Sequence, residues 1–235
     1  MPTSARPNIM VGVPVGYLSP RLPFPPNADY NCSVGVEIAP GLGVSLDGKA
    51  LLVGAEGHQG KTDVLGRLED GTYPQRDTVV LRSGDQTDVD GADTWRDFSL
   101  KGKARDFLAA GDSDRQNFTV KETENGLRVG SQFAGRAWTV ENTADGVRRR
   151  RRAWKAFSSV RSDFAEGESF HVSVKDGVTT VDSSLPEQDF TVQRTESGAV
   201  IDGHYAFDDF QLSHTDDGYE FKGHYPQQKF LISYS

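Results

Sequence analysis

A repeat of about 20 residues in the second half of the chain constrains the fold more than any other feature of the sequence. Aromatic residues recur at this interval, with one longer gap of 32 residues after the second of them, at Phe118, Trp138, Phe170, Phe190, Phe210 and Phe230. A fixed period of this length is typical of one supersecondary unit that is repeated because a single copy cannot bury its apolar face.

Each repeat also carries a tight-turn signal between two stretches of alternating apolar residues. The signals are Glu124-Asn125-Gly126, Ala144-Asp145-Gly146, Lys175-Asp176-Gly177, Glu196-Ser197-Gly198 and Asp216-Asp217-Gly218. Glycine and asparagine tolerate the positive φ that a hairpin turn needs. Apolar side chains at every second position, as in Phe170, Val172 and Val174, indicate strands with one buried face. The repeat therefore predicts a series of β-hairpins.

These hairpins must close into a barrel or pack as a sandwich, because an isolated hairpin is only marginally stable. We therefore predict an all-β, antiparallel sandwich or barrel with very little helix. Its connectivity is either jelly-roll-like or a hairpin meander, and both one unit and two barrels fit the pattern. The provisional boundary separates a β-rich region, 1–116, from a hairpin-repeat region, 117–235.

The first half of the chain is less regular but also has the character of short strands. Apolar or alternating runs separated by Gly and Pro predict strands at Ile9–Leu18, Tyr30–Ile38, Leu42–Leu46, Ala50–Val53, Thr78–Leu81 and Trp95–Leu100. One short helix is predicted at Lys103–Ala110, and Asp85–Asp93 is predicted to be an acidic loop.

The charge balance limits the partners that the chain can bind. The 235 residues hold 26 Lys and Arg against 34 Asp and Glu, a net charge of −8. Such a balance argues against sequence-specific nucleic-acid binding, which depends on clustered basic residues. Asp outnumbers Glu by 23 to 11 and Arg outnumbers Lys by 17 to 9. This usage suggests either a protein that is soluble in concentrated salt or a GC-rich genome.

The sequence also limits the redox chemistry and the cellular location. Cys32 is the single cysteine, which excludes an intrachain disulfide and a cysteine-based zinc site. We expect no transmembrane segment, because no apolar run approaches the necessary length. We expect no signal peptide either, because prolines interrupt the first residues.

One segment resembles a phosphate-binding loop. Residues 55–62 read AEGHQGKT and follow an apolar run. In such a loop Gly60 would offer its backbone N–H, Lys61 would reach the phosphate oxygens and Thr62 would bind Mg²⁺. The loop would open a helix at Asp63–Glu69. Against this hypothesis, a phosphate-binding loop needs a parallel sheet with crossover helices, whereas the chain shows hairpins. A glycine-rich connection between strands is the alternative.

A second segment is duplicated at the repeat interval. Gly203-His204-Tyr205 recurs as Gly223-His224-Tyr225, and His214 lies midway between the two. Equivalent aromatic residues can form repeated sites for stacking on sugars, as in a lectin, so His204, Tyr205, His224 and Tyr225 are candidate glycan contacts. Three imidazoles can also bind a metal, but no acidic partner is fixed by the spacing, and we predict no metal site. Packing at the strand ends is the simplest interpretation.

A third segment is a run of five arginines, Arg148, Arg149, Arg150, Arg151 and Arg152, in an otherwise acidic chain. It predicts a contact with an anionic partner, either an acidic neighbouring subunit or a membrane surface. The alternative is a solvated edge strand that its charges protect from aggregation. Beyond these segments there is no nucleophile elbow, no zinc-protease motif and no placed Cys–His pair. We therefore predict no catalytic residues, no cofactor and no enzymatic activity.

In length, in its Asp-over-Glu balance and in its strand-rich pattern, the chain resembles the jelly-roll capsid proteins of icosahedral viruses of halophilic archaea that have an internal membrane. This resemblance implies a structural virion protein that assembles through β-barrel surfaces, with self-association, other structural subunits and a location in the capsid. The alternatives are a carbohydrate-binding β module and, third, nucleotide binding at 55–62.

Overall fold

The computed structural model describes residues 7–18, 33–68, 71–131, 137–144, 146–151 and 169–235. Within them every strand belongs to one of two closed antiparallel sheets. The small sheet contains β1 (Ile9–Tyr17), β2 (Ser33–Ala39), β3 (Leu42–Ser45) and β4 (Ala50–Gly54). It closes because β1 pairs with both β2 and β4, and we call it the inner barrel.

The second sheet, which we call the outer ring, contains the remaining strands. In chain order they are β5 (Gly60–Leu68), β6 (Gly71–Thr72), β7 (Thr78–Ser83), β8 (Gln86–Gly91), β9 (Phe98–Lys103), β10 (Asp106–Gly111), β11 (Phe118–Thr123), β12 (Gly126–Ser131), β13 (Trp138–Asn142), β14 (Gly146–Arg151), β15 (Ser169–Lys175), β16 (Val178–Ser183), β17 (Phe190–Thr195), β18 (Gly198–Gly203), β19 (Phe210–Thr215), β20 (Gly218–Gly223) and β21 (Lys229–Tyr234).

From β7 to β21 each strand of the outer ring pairs with the next one in sequence, so the ring is a hairpin meander. It closes where β21 pairs with β5, with Phe230 opposite Gly66 and Ile232 opposite Val64. On its other side β5 pairs with β7 and with the two-residue β6. The predicted all-β class and the barrel are therefore confirmed, and of the two connectivities that the sequence left open the ring has the meander.

The inner barrel fills the outer ring. A closed sheet of about sixteen strands encloses a lumen that its own side chains cannot fill. Here the neighbouring residues Leu51 and Leu52 of β4, which point to opposite faces of their sheet, are both 0 % exposed. The outward side chains of the inner barrel, such as Val13 and Leu51, form one apolar cluster with the alternate side chains of the ring. The two barrels are therefore nested around a common core.

Buried polar contacts also join the barrels. The guanidinium of Arg96 donates from Nη2 to the carbonyl of Val15 at 3.0 Å, and the Thr87 hydroxyl donates to the carbonyl of Ala55 at 2.9 Å. Val15 lies at the irregularity in β1 between Pro14 and Gly16, and Ala55 follows the last residue of β4, so neither residue has a partner in the ladder of the inner barrel. Hydrogen bonds from the ring remove the cost of burying these carbonyl groups.

The inner barrel is itself too narrow to hold many side chains, which explains its alternation of valine with glycine. The lumen positions include Gly12, Gly35 and Gly43, while valines occupy the outward positions between them. A Cβ added to Gly43 would meet the sulfur of Met10, and a Cβ on Gly12 would lie 2.4 Å from the Val53 carbonyl oxygen. Only glycine fits at these close approaches.

We expect Gly35→Ala to lower the free energy of unfolding by about 1–3 kcal/mol, the usual cost of overpacking. The added Cβ would lie 2.3 Å from the Val44 carbonyl oxygen and 2.7 Å from Cδ1 of Leu52. Urea unfolding measures the difference. Gly71→Ala is the matched control, because a Cβ at residue 71 has no atom within 4 Å. Equal stability of the two variants would contradict a glycine-lined lumen.

The structure corrects three local predictions. Lys103–Ala110 is not a helix: it contains the turn between β9 and β10, and in β10 Phe107 and Ala109 are buried while Leu108 is 51 % exposed. Hydrogen bonds to strands on both sides outweigh the helix propensity of Leu and Ala. Asp63–Glu69 is mostly strand β5, and Asp85–Asp93 contains strand β8.

The hairpin repeat begins earlier than the aromatic residues suggested. Thr78 and Phe98 start β7 and β9 at positions equivalent to Phe118, so the period extends 40 residues toward the N-terminus. The provisional boundary near residue 117 lies between β10 and β11, which pair with each other in the ring. The two sheets divide between β4 and β5, and the boundary between folding units stays a prediction.

Candidate functional site

The two ends of the outer ring differ in their connections. At one end, the hairpin rim, tight turns such as Gly84-Asp85 and Asp216-Asp217 join the two strands of each hairpin. At the other end, the loop rim, loops join successive hairpins, and six of these loops, in the described part of the chain, contain a three-residue 3-10 turn. These turns are Pro74–Arg76, Thr94–Arg96, Asp114–Gln116, Pro186–Gln188, Ala206–Asp208 and Pro226–Gln228.

One hydrogen bond recurs in these loops and fixes their shape. The residue after the 3-10 turn is usually Asp or Asn, and its side chain accepts a hydrogen bond from a backbone N–H at the end of the preceding strand. The bond joins Asp97 to Gly91 at 2.9 Å and Asp209 to Gly203 at 3.0 Å. A side chain that replaces the missing ladder partner in this way stabilises the turn. The loops are therefore built on one plan, and the residues that differ among them are free to serve other roles.

The duplicated Gly-His-Tyr segments occupy two of these loops. Tyr205 and Tyr225 each stand directly before the 3-10 turn, and they are 46 % and 37 % exposed. His204 packs edge to face with Tyr205 at 4.5 Å between ring centroids, and His224 does the same with Tyr225 at 4.8 Å. The structure thus places the four predicted glycan-contact residues in two equivalent pairs at the loop rim.

The two loops are tied to each other and to the inner barrel. Gln228, which is 1 % exposed, donates from Nε2 to the carbonyls of Leu18 at 2.6 Å and Phe207 at 2.9 Å. Its Oε1 accepts a hydrogen bond from the backbone N–H of Tyr225 at 2.8 Å. The ring of Phe207 stacks on Tyr205 with centroids 5.0 Å apart. The two His–Tyr pairs therefore lie on adjacent loops that one buried amide holds in place.

His214 lies at the opposite end of the molecule. It stands near the end of β19 at the hairpin rim, where its ring is 4.6 Å from that of Tyr219. His204, His214 and His224 therefore do not converge, and within the described ranges no group of three or more His, Cys, Asp or Glu side chains is arranged to hold a metal ion. The repeat places equivalent residues on successive loops, but the residue halfway along the period falls at the other rim.

The segment that resembles a phosphate-binding loop connects the two barrels. Residues 55–59 form a bend after β4, and Gly60, Lys61 and Thr62 belong to strand β5. Lys61 forms an ion pair with Asp63 at 2.8 Å, whereas the Thr62 hydroxyl is buried. The helix that this hypothesis requires is absent at this place, so no helix N-terminus faces the loop. Phosphate binding by Gly60, Lys61 and Thr62 stays a prediction without its structural context.

The arginine run lies on β14 from Arg148 to Arg151. Arg148 is exposed and stands in register opposite Glu141 and His171. Arg152, and the side chains of Arg149, Arg150 and Arg151, lie outside the described part of the chain. β14 pairs with β13 and with β15, so the run does not form a free sheet edge, and the edge-strand alternative does not apply.

The hairpin rim holds a crevice of about 770 Å³ between the two barrels. Its wall includes Glu37, Glu56 and Asp85. Behind Gly57, another wall residue, lies the buried guanidinium of Arg82, whose Nη2 donates to the Gly54 carbonyl at 3.3 Å. Burial lowers the pKa of Arg82. The wall also includes Lys103. Because both signs of charge line the crevice and the buried group behind it is a cation, the crevice matches no single ligand charge. Arg82 caps the end of β4 through its bond to the Gly54 carbonyl.

Sequence reasoning missed Tyr73, which also stands directly before a 3-10 turn of the loop rim. The segment Gly71–Asp77 reads GTYPQRD, and Gly223–Lys229 reads GHYPQQK. The shared Tyr-Pro-Gln was visible in the sequence. Residues 71–77 lie outside the series of aromatic repeats, which begins at Phe118, so the repeat interval does not relate them to residues 223–229.

No family model matches the chain, and no curated protein or solved structure is significantly similar to it. Within the described ranges, no helix has the length and apolarity that a membrane crossing requires.

Proposed function

We propose that this protein is a non-catalytic carbohydrate-binding module and that the loop rim is its binding surface. The observation that carries the proposal is the pair of equivalent, exposed tyrosines at the rim, Tyr205 and Tyr225, each held by a neighbouring histidine. Among the described residues, the other large hydrophobic side chains with comparable exposure are Leu81, Leu108 and Val200, which are separated on the ring wall.

The chemistry of tyrosine suits such a ligand. Its ring offers an apolar face to the C–H groups of a sugar, and its hydroxyl forms hydrogen bonds at the edge. A tyrosine also loses little conformational entropy on binding because it has two rotatable side-chain bonds. Here adjacent aromatic rings and the buried amide of Gln228 restrain the loops before any ligand arrives. Less conformational entropy is then lost when a ligand binds, which favours affinity.

The proposal is tested by a glycan array followed by calorimetric titration of the best-bound sugar. We expect Tyr205→Ala and Tyr225→Ala each to weaken binding by about two- to tenfold, because loss of a stacked aromatic contact usually costs about 0.5–1.5 kcal/mol. Tyr225→Phe, which keeps the ring, should retain most of the affinity. Leu108→Ala removes an equally exposed apolar side chain from the ring wall and is the matched control.

The outcome that contradicts the proposal is specific. If the folded protein binds no glycan on the array, or if both alanine variants bind as tightly as the unaltered chain, the loop rim is not a sugar-binding surface.

A structural shell subunit remains the second proposal. It is favoured by the nested architecture, in which every described strand except the two-residue β6 pairs on both sides, so copies would meet through side chains such as the exposed Arg148 and Leu108. This proposal expects ring-like or sheet-like assemblies in electron micrographs and stability that rises with molar KCl. A protein that sediments as a monomer at every salt concentration argues against it.

A further inference from the structure

Ring closure brings a third tyrosine next to the two that the duplicated segments supply. Tyr73, Tyr205 and Tyr225 each stand at the residue that precedes a 3-10 turn, so the three share one position in the loop plan. Tyr73 is partly exposed, and the Arg76 guanidinium lies 5.8 Å from the centre of its ring. In the sequence Tyr73 is 132 residues from Tyr205, so only the fold relates them.

The order of strands places the three loops side by side. Along the ring the strands follow in the order β18, β19, β20, β21, β5 and β7. Tyr205 lies in the loop between β18 and β19, Tyr225 in the loop between β20 and β21, and Tyr73 in the loop between β5 and β7. Each tyrosine is therefore two strands from the next along the rim, a step of about 10 Å, given a spacing of about 4.8 Å between paired strands. Three such positions span about 20 Å. This is the length of a short oligosaccharide and far exceeds one sugar ring.

The charges around the row disfavour an anionic ligand. Residues 203–209 contain Asp208 and Asp209 and no Lys or Arg. Residues 223–229 contain one basic residue, Lys229, which forms an ion pair with Glu220. In the third loop the basic residue is Arg76, which is 6 % exposed and packs over the Phe230 ring at 4.5 Å. No described lysine or arginine of these loops is thus offered to a carboxylate or sulfate on a sugar.

We propose that Tyr73, Tyr225 and Tyr205 form one continuous row of stacking positions for an uncharged oligosaccharide chain that lies along the loop rim. This inference rests on the proposed carbohydrate-binding function and adds the charge and minimum length of the ligand. A chain that reaches all three rings gains each further contact without a new cost of association, so affinity rises with chain length until the row is filled.

The experiment titrates the protein with neutral ladders from disaccharide to octasaccharide: gluco-oligosaccharides with β-1,4 and α-1,4 linkages, and chito-oligosaccharides. Oligogalacturonides of the same lengths serve as the acidic comparison. For the ladder that binds, affinity should rise at least about tenfold between the disaccharide and the hexasaccharide and then level off. The acidic ladder should bind at least about tenfold more weakly, because residues 203–209 bring two aspartates and no basic side chain to the rim, and like charges repel.

Tyr73→Ala separates this inference from the proposed function. It should weaken binding of the hexasaccharide about tenfold while leaving the disaccharide, which Tyr205 or Tyr225 can hold alone, nearly unchanged. Tyr73→Phe should behave like the unaltered protein. Ser113→Ala, at the equivalent position before the turn Asp114–Gln116, is the control elsewhere on the rim. Melting temperatures of all variants confirm that they fold.

Each result has one meaning. Two results would contradict the row of three tyrosines but leave the proposed function standing. One is a glycan that binds through Tyr205 and Tyr225 with an affinity that does not depend on chain length. The other is an unchanged hexasaccharide affinity in Tyr73→Ala. If the acidic ladder binds more tightly than the neutral ones, the inferred ligand charge is wrong. If no ladder and no array glycan binds, both proposals fail together.

Discussion

Phe230→Ala is expected to lower the free energy of unfolding by about 3–5 kcal/mol, the usual cost of removing a fully buried aromatic ring. Phe230 is 0 % exposed on β21, the strand that closes the outer ring against β5. Its ring meets Phe221 at 6.5 Å between centroids and lies under the Arg76 guanidinium. It also faces the inner barrel, since a Cβ on Gly16 would lie 2.7 Å from its Cζ. Urea unfolding followed by tryptophan fluorescence measures the loss.

The control for this variant is Tyr225→Ala, a nearby aromatic residue that is exposed at the rim. Its removal should change stability by less than about 0.5 kcal/mol, as is usual for surface positions. A loss below about 1 kcal/mol for Phe230→Ala would mean that the contact between β21, Arg76 and the inner barrel does not hold the ring closed.

Leu51→Ala is expected to lower the free energy of unfolding by about 2–5 kcal/mol, because it leaves a cavity where the inner barrel packs against the outer ring. Leu51 is 0 % exposed although it lies on a strand of only five residues in a four-stranded sheet. Such a sheet alone would leave its outer face in water. The ring is what buries Leu51, so the size of the effect measures the nesting. Chemical denaturation gives the free energy of unfolding. The slope of this free energy against denaturant concentration reports whether the variant still unfolds as one unit.

Leu81→Ala provides the matched comparison, since it makes the same chemical change at a ring position that is 50 % exposed. This substitution should change the free energy of unfolding by less than about 0.5 kcal/mol. If Leu51→Ala and Leu81→Ala destabilise the protein equally, the inner barrel is not enclosed in solution.

Much of the candidate site was readable from the sequence. The duplication of Gly-His-Tyr at one repeat interval placed His204, Tyr205, His224 and Tyr225 at equivalent positions, and the structure puts them on adjacent loops. Their exposure and the buried amide of Gln228 that ties the loops together were not readable. Gln228 contacts Leu18, which is 210 residues away, and no local pattern encodes such a contact.

The sequence by itself determined the hairpins, because turn chemistry and the alternation of apolar residues act within a few neighbouring residues. The mistaken helix at Lys103–Ala110 shows the limit of that rule: Phe107 and Ala109 alternate correctly, but the hydrogen bonds to β9 and β11 that select a strand come from outside the segment. Only the tertiary structure decided that β21 joins β5, that the ring encloses the inner barrel, and that Tyr73 stands beside Tyr225. These depend on pairing and burial between distant segments, whose free energy is gained only when the whole chain has closed around its core.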